Sequence, residues 1–252
     1  MPLPLLRDDF AIFNGEMIIS YLHQSELFPL GEINNCKTPA ETDRLLLEDT
    51  ADFDFGPIAQ LILAKQEAEN LVHVYDAVPK LHQRLFVDGA IGPYGQMAFS
   101  TLLGDCASIG VIDKATGVAG FMHCGRRELW DGLIPNFFKQ WPGDPRTTVT
   151  MIAPVICSLH YELLDTSTIE GTSLERFISN TVWGTTGFDL KSGIVAQISA
   201  CGYGGFHLQS SHICPFCERD KGHLQWASDQ WFKKNRPGQF SPRSCVFMHL
   251  AV

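Results

Sequence analysis

Two short stretches of this chain carry a thiol and an imidazole at a spacing that chemistry can use. Gly104-Asp105-Cys106 is followed by His123-Cys124-Gly125-Arg126-Arg127, with Cys106 and His123 seventeen residues apart. Between them lie the apolar runs Ala107–Ile112 and Gly117–Met122, joined by Asp113-Lys114-Ala115-Thr116, which is the pattern of a β-hairpin. Folding the segment about that turn makes Cys106 and His123 near cross-strand neighbours, with Cβ atoms about 5 Å apart if directly opposite. A thiol beside an imidazole serves either a metal or an activated nucleophile, and the pair alone does not choose. His73, in the predicted strand Leu71–Val78, is a third donor. Two histidines and one cysteine make a three-ligand zinc set with the fourth position open. Spacing does not require His73 to join, and buried cysteines more often act as small hydrophobes.

Arg126 and Arg127 follow where a strand end runs into a helix start, a setting that favours anions. Solvation, or pairing with Glu128 and Asp131, is the competing role. Further on, His212-Ile213-Cys214-Pro215-Phe216-Cys217 carries one Cys-x-x-Cys. Without a second well-spaced pair this is a weak zinc signal, and the thioredoxin-like context of a redox motif is missing. His223 and Cys245 have no spacing that demands a site, so the segment reads as two cysteines in a packed loop.

Several elements must position these groups. Thr38-Pro39-Ala40-Glu41 signals a helix start, and a second helix is expected from Pro57 through Leu63. A short strand is expected near Leu85-Phe86-Val87, and Met97–Leu103 reads as a buried strand delivering Asp105 and Cys106. Arg127 to Gln140 has helical spacing, with Pro135 expected to kink or divide it. Thr147–Pro154 reads as a strand and Ser173–Asn180 as a short helix. Asp189 caps a helix that Gly202 ends, the stretch from Ser210 is irregular, and Ser244–Val252 is a strand. The order lacks the regular alternation of a doubly wound sheet. It predicts an α+β fold, one layered domain over residues 1–252 with mixed β-sheets flanked by helices.

A chain of 252 residues can bury a large core. Its formal net charge of −9 argues against a general nucleic-acid binder but leaves room for a small anionic substrate in a local cationic pocket. No apolar run is long enough to cross a bilayer, and the start lacks the features of a secretion signal. A cytoplasmic protein with reduced thiols among its eight cysteines is expected, without membrane or nucleic-acid partners.

The motifs together resemble a known family. Gly104-Asp105-Cys106-Ala107 resembles its Ala-Asp-Cys motif, and His123-Cys124-Gly125-Arg126-Arg127-Glu128 its His-Ala-Gly-Trp-Arg-Gly. Val72-His73-Val74 is similar to its Gln-Val-His-Gly strand. Ala153-Pro154-Val155-Ile156 with Tyr161-Glu162 resembles Gly-Pro-x-Ile…Tyr-Glu-Val, and Asp189-Leu190-Lys191 the start of its late helix. Cys214 stands for the cysteine that follows, and Phe232-Lys233-Lys234-Asn235 for Tyr-Arg-Arg-Asp. This is the laccase-domain, or polyphenol oxidoreductase, family, also described as zinc-dependent purine nucleoside phosphorylases and peptidoglycan editing factors. The resemblance runs from about Leu71 to the C-terminus.

It implies a single α+β domain with zinc, rather than copper, held by His73, Cys106 and His123. It implies action on purine nucleosides, by phosphorolysis with phosphate or by adenosine deamination. Arg126, Arg127, Lys233 and Lys234 become candidates for phosphate or substrate, and Asp105, Arg127, Tyr161 and Glu162 for catalysis. The family's N-terminal Arg-x-Gly-Gly segment has no counterpart among residues 10–35, and lysines replace its late arginines, which are not equivalent for bidentate phosphate contact. Two other readings therefore stand beside the first: a Cys106 thiolate activated by His123, and a diverged, non-catalytic zinc-binding protein.

Overall fold

The computed structural model describes residues 6–12, 17–23, 60–64, 70–78, 83–85, 87–95, 97–223, 226–238 and 244–250. Its strands run in chain order as β1 (Leu6–Ile12), β2 (Met17–His23), β3 (Gln60–Ala64), β4 (Val72–Val74), β5 (Gln83–Leu85), β6 (Gly89–Pro93) and β7 (Met97–Leu103). After them come β8 (Ala107–Asp113), β9 (Val118–Cys124), β10 (Val149–Ile152), β11 (Ile178–Asn180), β12 (Thr186–Phe188), β13 (Leu208–Ser210) and β14 (Ser244–Leu250). The described helices are α1 (Arg126–Trp130), α2 (Leu133–Gln140), α3 (Leu190–Ala200), α4 (Pro215–Asp220) and α5 (Asp229–Asn235).

Two six-stranded mixed sheets form, in the orders β1-β2-β14-β7-β3-β5 and β13-β10-β8-β9-β6-β4, with β11 and β12 as a small separate ribbon. The architecture is α+β, as the sequence predicts. Along β8 and β9 every residue is buried, because both faces of the second sheet are covered. Ala90, Ile112, Ala119, Phe121 and Met151 pack with Phe99, Leu103 and Met248 of the first sheet. On the other face Ile109, Val111, Val118 and Met122 pack under Leu133, Phe137, Ile194 and Ile198 of α2 and α3.

The expected helix over 127–140 is divided, but at Gly132 rather than at Pro135. Gly132 has φ +89°, a left-handed conformation that breaks the helix at little cost only for glycine. Pro135 then falls in the first turn of α2, where its missing N–H has no intrahelical acceptor to lose. Asp189 caps α3 by accepting from the Ser192 N–H at 3.0 Å, as expected.

Three expectations are corrected. Residues 60–64 are a strand between β7 and β5 rather than part of a helix from Pro57, since a short apolar run fits either period and pairing with β7 decides it. Ser173–Asn180 is a single 3-10 turn, Glu175–Phe177, followed by β11, which pairs with β12. The stretch after Ser210 contains α4, with Pro215 in its first turn, and α5, capped by Ser228. The helix expected from Thr38 lies outside the described residues.

Candidate functional site

The β8–β9 hairpin forms with Ser108 opposite His123 and Ala107 opposite Cys124. That register carries Cys106 on to face Gly125, so Cys106 and His123 are diagonal neighbours on one face rather than direct opposites. The strands extend to Asp113 and Val118, tightening the loop and shifting the pairing by one step from the expected centre. Asp113 holds the turn, accepting from the Ala115 N–H at 2.9 Å and the Asp144 N–H at 2.8 Å. Gly125 leaves room for the thiol: a Cβ there would lie 2.7 Å from Cys106 Sγ and 2.7 Å from Glu128 Oε2.

His123 is buried at 2% exposure, and neither of its ring nitrogens meets a hydrogen-bond partner. Asp88 Oδ1 stands 3.9 Å from Nδ1, beyond a well-formed hydrogen bond, and is the acceptor that most favours the charged ring. Burial disfavours the imidazolium, yet Asp88, Cys106 and Glu128 outweigh it and push His123 up to about 10. Ligand atoms of Asp88, His123 and Glu128 all lie within 4.8 Å of one another. Glu128 also accepts from the Gly125 N–H at 2.9 Å, fixing the strand-to-helix corner.

His73 lies on the edge strand β4, opposite Ala90, which in turn faces Phe121. His73, Ala90, Phe121 and His123 therefore share one face of the second sheet, because paired residues point the same way. His73 is exposed and its ring meets Tyr75 edge-on at 4.3 Å.

The remaining candidates divide by what they touch. Both carboxylate oxygens of Asp105 are engaged: Ser228 Oγ donates to one at 2.6 Å and the Gln230 N–H to the other at 2.8 Å. Tyr161 is brought into the field of Cys106 and Arg126, and burial is the main cause pushing its phenol well above its ordinary value. Arg126 lies over the Trp130 ring at 5.2 Å and is half-buried, whereas Arg127 is exposed. Glu162 pairs with Lys234 at 3.1 Å, and Lys233 is exposed. The Thr185 hydroxyl and then Lys234 hold the Glu162 carboxyl below its ordinary value.

A second convergence was not read from the sequence. Cys157, His160, Cys214 and Cys217 bring their ligand atoms within 4.8 Å of one another and could hold a metal ion. Cys214 and Cys217 are thus not merely two cysteines in a packed loop. His223, the earlier candidate partner, instead meets Glu218 at 2.7 Å. The usable signal was a pair of short spacings, Cys157-x-x-His160 and Cys214-x-x-Cys217, read together.

Two face-to-face sheets with helices over one of them define the fold class, and solved structures share it. The hypothetical protein YfiH of Bacillus licheniformis superposes with a TM-score of 0.69 at 16% identity, covering 93% of this chain and 92% of that one. YlmD of Geobacillus stearothermophilus gives 0.68 at 17% identity, covering 94% and 93%. The family model described as multi-copper polyphenol oxidoreductase laccase matches residues 41–222, and the chain belongs to that family. A purine nucleoside phosphorylase of Streptomyces coelicolor is 26% identical over 149 residues, covering 57% of this chain and 60% of that protein. One of Streptomyces griseus is also 26% identical over 149 residues, covering 57% and 58%. The chain thus spans somewhat over half the length of these relatives. Among the described residues no helix is long and apolar enough to cross a membrane.

Proposed function

We propose that this protein is a zinc enzyme acting on purine nucleosides, with His73, Cys106 and His123 as the metal ligands. The observation that carries the reading is His123, a buried imidazole whose two nitrogens are both without a hydrogen-bond partner. Leaving such a group unpaired costs about 1–3 kcal/mol, and a bound metal is one way to satisfy it. The donor chemistry fits: a thiol lies beside the imidazole, and His73 stands on the same sheet face. Two buried carboxylates, Asp88 and Glu128, further favour a cation there. The relatives named purine nucleoside phosphorylase support the substrate class.

When bound, zinc supplies Lewis-acid polarisation at its open position. The chain's own groups do the rest. Arg126, the cation whose charge reaches Tyr161, holds phosphate or the charge that develops on the leaving base. Tyr161, whose burial holds its phenol well above the ordinary value, keeps its proton and is available as a donor to substrate. Phosphorolysis joins a phosphate oxygen to C1′ as the bond from C1′ to the purine nitrogen breaks, and the departing base takes up a proton. Arg127, Lys233 and Lys234 lie at the surface, where Lys234 is tied to Glu162. They serve substrate approach rather than the reacting atoms.

Metal analysis of purified protein, paired with product detection from inosine and adenosine with and without phosphate, tests the reading. Phosphate-dependent base release that disappears in Cys106→Ala supports it. Turnover unchanged in metal-free protein overturns it in favour of a Cys106 thiolate. Stoichiometric zinc without turnover on any nucleoside makes this a binding protein.

A further inference from the structure

Apart from the His123 site, we propose that Cys157, His160, Cys214 and Cys217 form a closed, structural zinc site that clasps the 157–160 turn to α4. A tetrahedron with Zn–S of ~2.3 Å and Zn–N of ~2.05 Å has S···S edges of ~3.8 Å and S···N edges of ~3.5 Å. Two of the observed separations match that figure, Cys157 Sγ to Cys217 Sγ at 3.8 Å and Cys217 Sγ to His160 Nδ1 at 3.5 Å, while Cys157 Sγ to His160 Nδ1 is shorter at 3.1 Å. Cys214 Sγ completes the set, since the four ligand atoms all lie within 4.8 Å of one another.

Backbone N–H groups are directed at two of the sulfurs. The Cys157 N–H donates to Cys214 Sγ at 3.3 Å. N–H groups of Leu159 and Cys217 also act on the sulfurs of Cys157 and Cys214, respectively. Such bonds stabilise negative sulfur that has left water. The His160 ring is fixed in its orientation, stacked on Phe216 at 4.2 Å and met edge-on by Trp183 at 5.6 Å. Backbone bonds from the N–H groups of His160 and Tyr161 to the Cys157 carbonyl close the turn that brings Cys157 and His160 to the same side. All four protein positions are filled by Cys or His, which is the composition of a structural rather than a catalytic zinc site. Disulfide pairing is the poorer use of this cluster, since three cysteines leave one thiol over.

The clasp joins segments 57 residues apart in sequence. It also sets the wall of the other site, because Tyr161 and Glu162 follow His160 directly. Trp183, which holds the His160 ring, also lies under the Lys234 ammonium at 4.4 Å. This positioning role rests on the function proposed above; the metal site itself does not.

The test loads the His73→Ala/Cys106→Ala protein with cobalt; the His123 site then keeps only His123, Asp88 and Glu128, so thiolate-to-cobalt charge transfer reports on the clasp. We expect a tetrahedral visible spectrum with strong thiolate-to-cobalt charge transfer, displaced by one equivalent of zinc. Adding Cys217→Ser should lower the charge-transfer intensity by about a third, one thiolate of three, while Cys201→Ser should leave it unchanged. Chelation should lower the melting temperature of the same His73→Ala/Cys106→Ala protein. Absence of the cobalt spectrum, or a Cys157–Cys217 or Cys157–Cys214 disulfide in mass spectra of unreduced protein, overturns the proposal. Because the first cobalt measurement leaves all four clasp residues intact, a misfolded cysteine variant does not decide the matter. Parent protein that binds metal at the clasp but none at His73, Cys106 and His123 would instead count against the function proposed above.

Discussion

Asp105 sits next to the proposed metal ligand Cys106, where an acid–base role is an obvious reading, yet its hydrogen bonds say otherwise. Its carboxylate accepts from Ser228 Oγ at 2.6 Å and from the Gln230 N–H at 2.8 Å, and Ser228 Oγ in turn accepts from the Trp231 N–H at 3.2 Å. Asp105 thereby holds the start of α5 onto the hairpin. Asp105→Asn keeps one acceptor oxygen and turns an NH2 group toward the other donor. One charge-assisted bond is lost, which costs about 1.5–3 kcal/mol when the partner is buried. For a chain of this size, 1 kcal/mol moves the melting temperature by about 2–4 °C, so a loss near 2 kcal/mol lowers it by about 4–8 °C.

The assay is thermal unfolding of the parent, Asp105→Asn, Ser228→Ala and the double variant, with nucleoside turnover measured alongside. The two single changes touch the same bond, so their effects should fall short of additive by about 1–2 kcal/mol. Turnover per folded molecule should drop less than stability does. An unchanged melting temperature together with abolished turnover would refute the anchoring role and make Asp105 a proton carrier.

Other consequences follow from particular contacts. Gly120→Ala places a Cβ 2.5 Å from Phe137 Cζ and 3.1 Å from the Ala90 carbonyl, and should destabilise by about 1–3 kcal/mol in urea unfolding. Gly125→Ala crowds both Cys106 Sγ and Glu128 Oε2 and should weaken metal at the His123 site by about 10–100-fold in chelator competition, leaving the Cys157 clasp loaded. For Asp113, burial raises the carboxyl pKa, but bonds from the Asp144 and Ala115 backbone and from threonine hydroxyls prevail and hold it below its ordinary value. The stability from a lowered carboxyl is complete above the unfolded pKa, about 3.9, and is lost as pH falls through the folded one. The stability gap between parent and Asp113→Asn should therefore be full near neutrality and shrink only in strong acid, as read from urea midpoints across pH.

The hairpin was legible because two apolar runs flank a turn of polar residues ending in glycine, and α3 because Asp189 supplies a cap. Register was less so: sequence marks a turn at 113–117, but the last pair, Asp113 opposite Val118, depends on how tightly the loop closes. Residues 60–64 misled because five apolar-rich positions cannot separate a helical face from a strand, and the deciding partner, β7, comes more than thirty residues later. The Cys157 clasp was hidden for a similar reason. Each half is a weak signal alone, and the fold brings residue 157 to residue 214.

The segment from Ala153 to Glu162 shows why a clasp belongs in this place. It leaves the end of β10 and crosses toward the hairpin as irregular chain, tied by the Ile156 N–H to the Asp105 carbonyl at 3.1 Å and by the Val155 N–H to the Ile213 carbonyl at 3.4 Å. Its far end is bridged to β12, where Glu162 pairs with Gly187 and the Tyr161 carbonyl accepts from the Phe188 N–H at 3.1 Å, but residues 154–160 between these ties have no strand partner among the described residues. Consecutive Cα atoms are about 3.8 Å apart, so fixing His160 leaves Tyr161 little freedom to move. Asp105 secures α5 to the hairpin from one side, and the Cys157 cluster secures α4 to the same segment from the other. The buried Arg219 joins the two helices, donating to the Trp226 carbonyl at 3.0 Å and lying over the Phe232 ring at 4.4 Å. Geometry at the proposed metal site thus depends on contacts made by residues that need never touch a substrate.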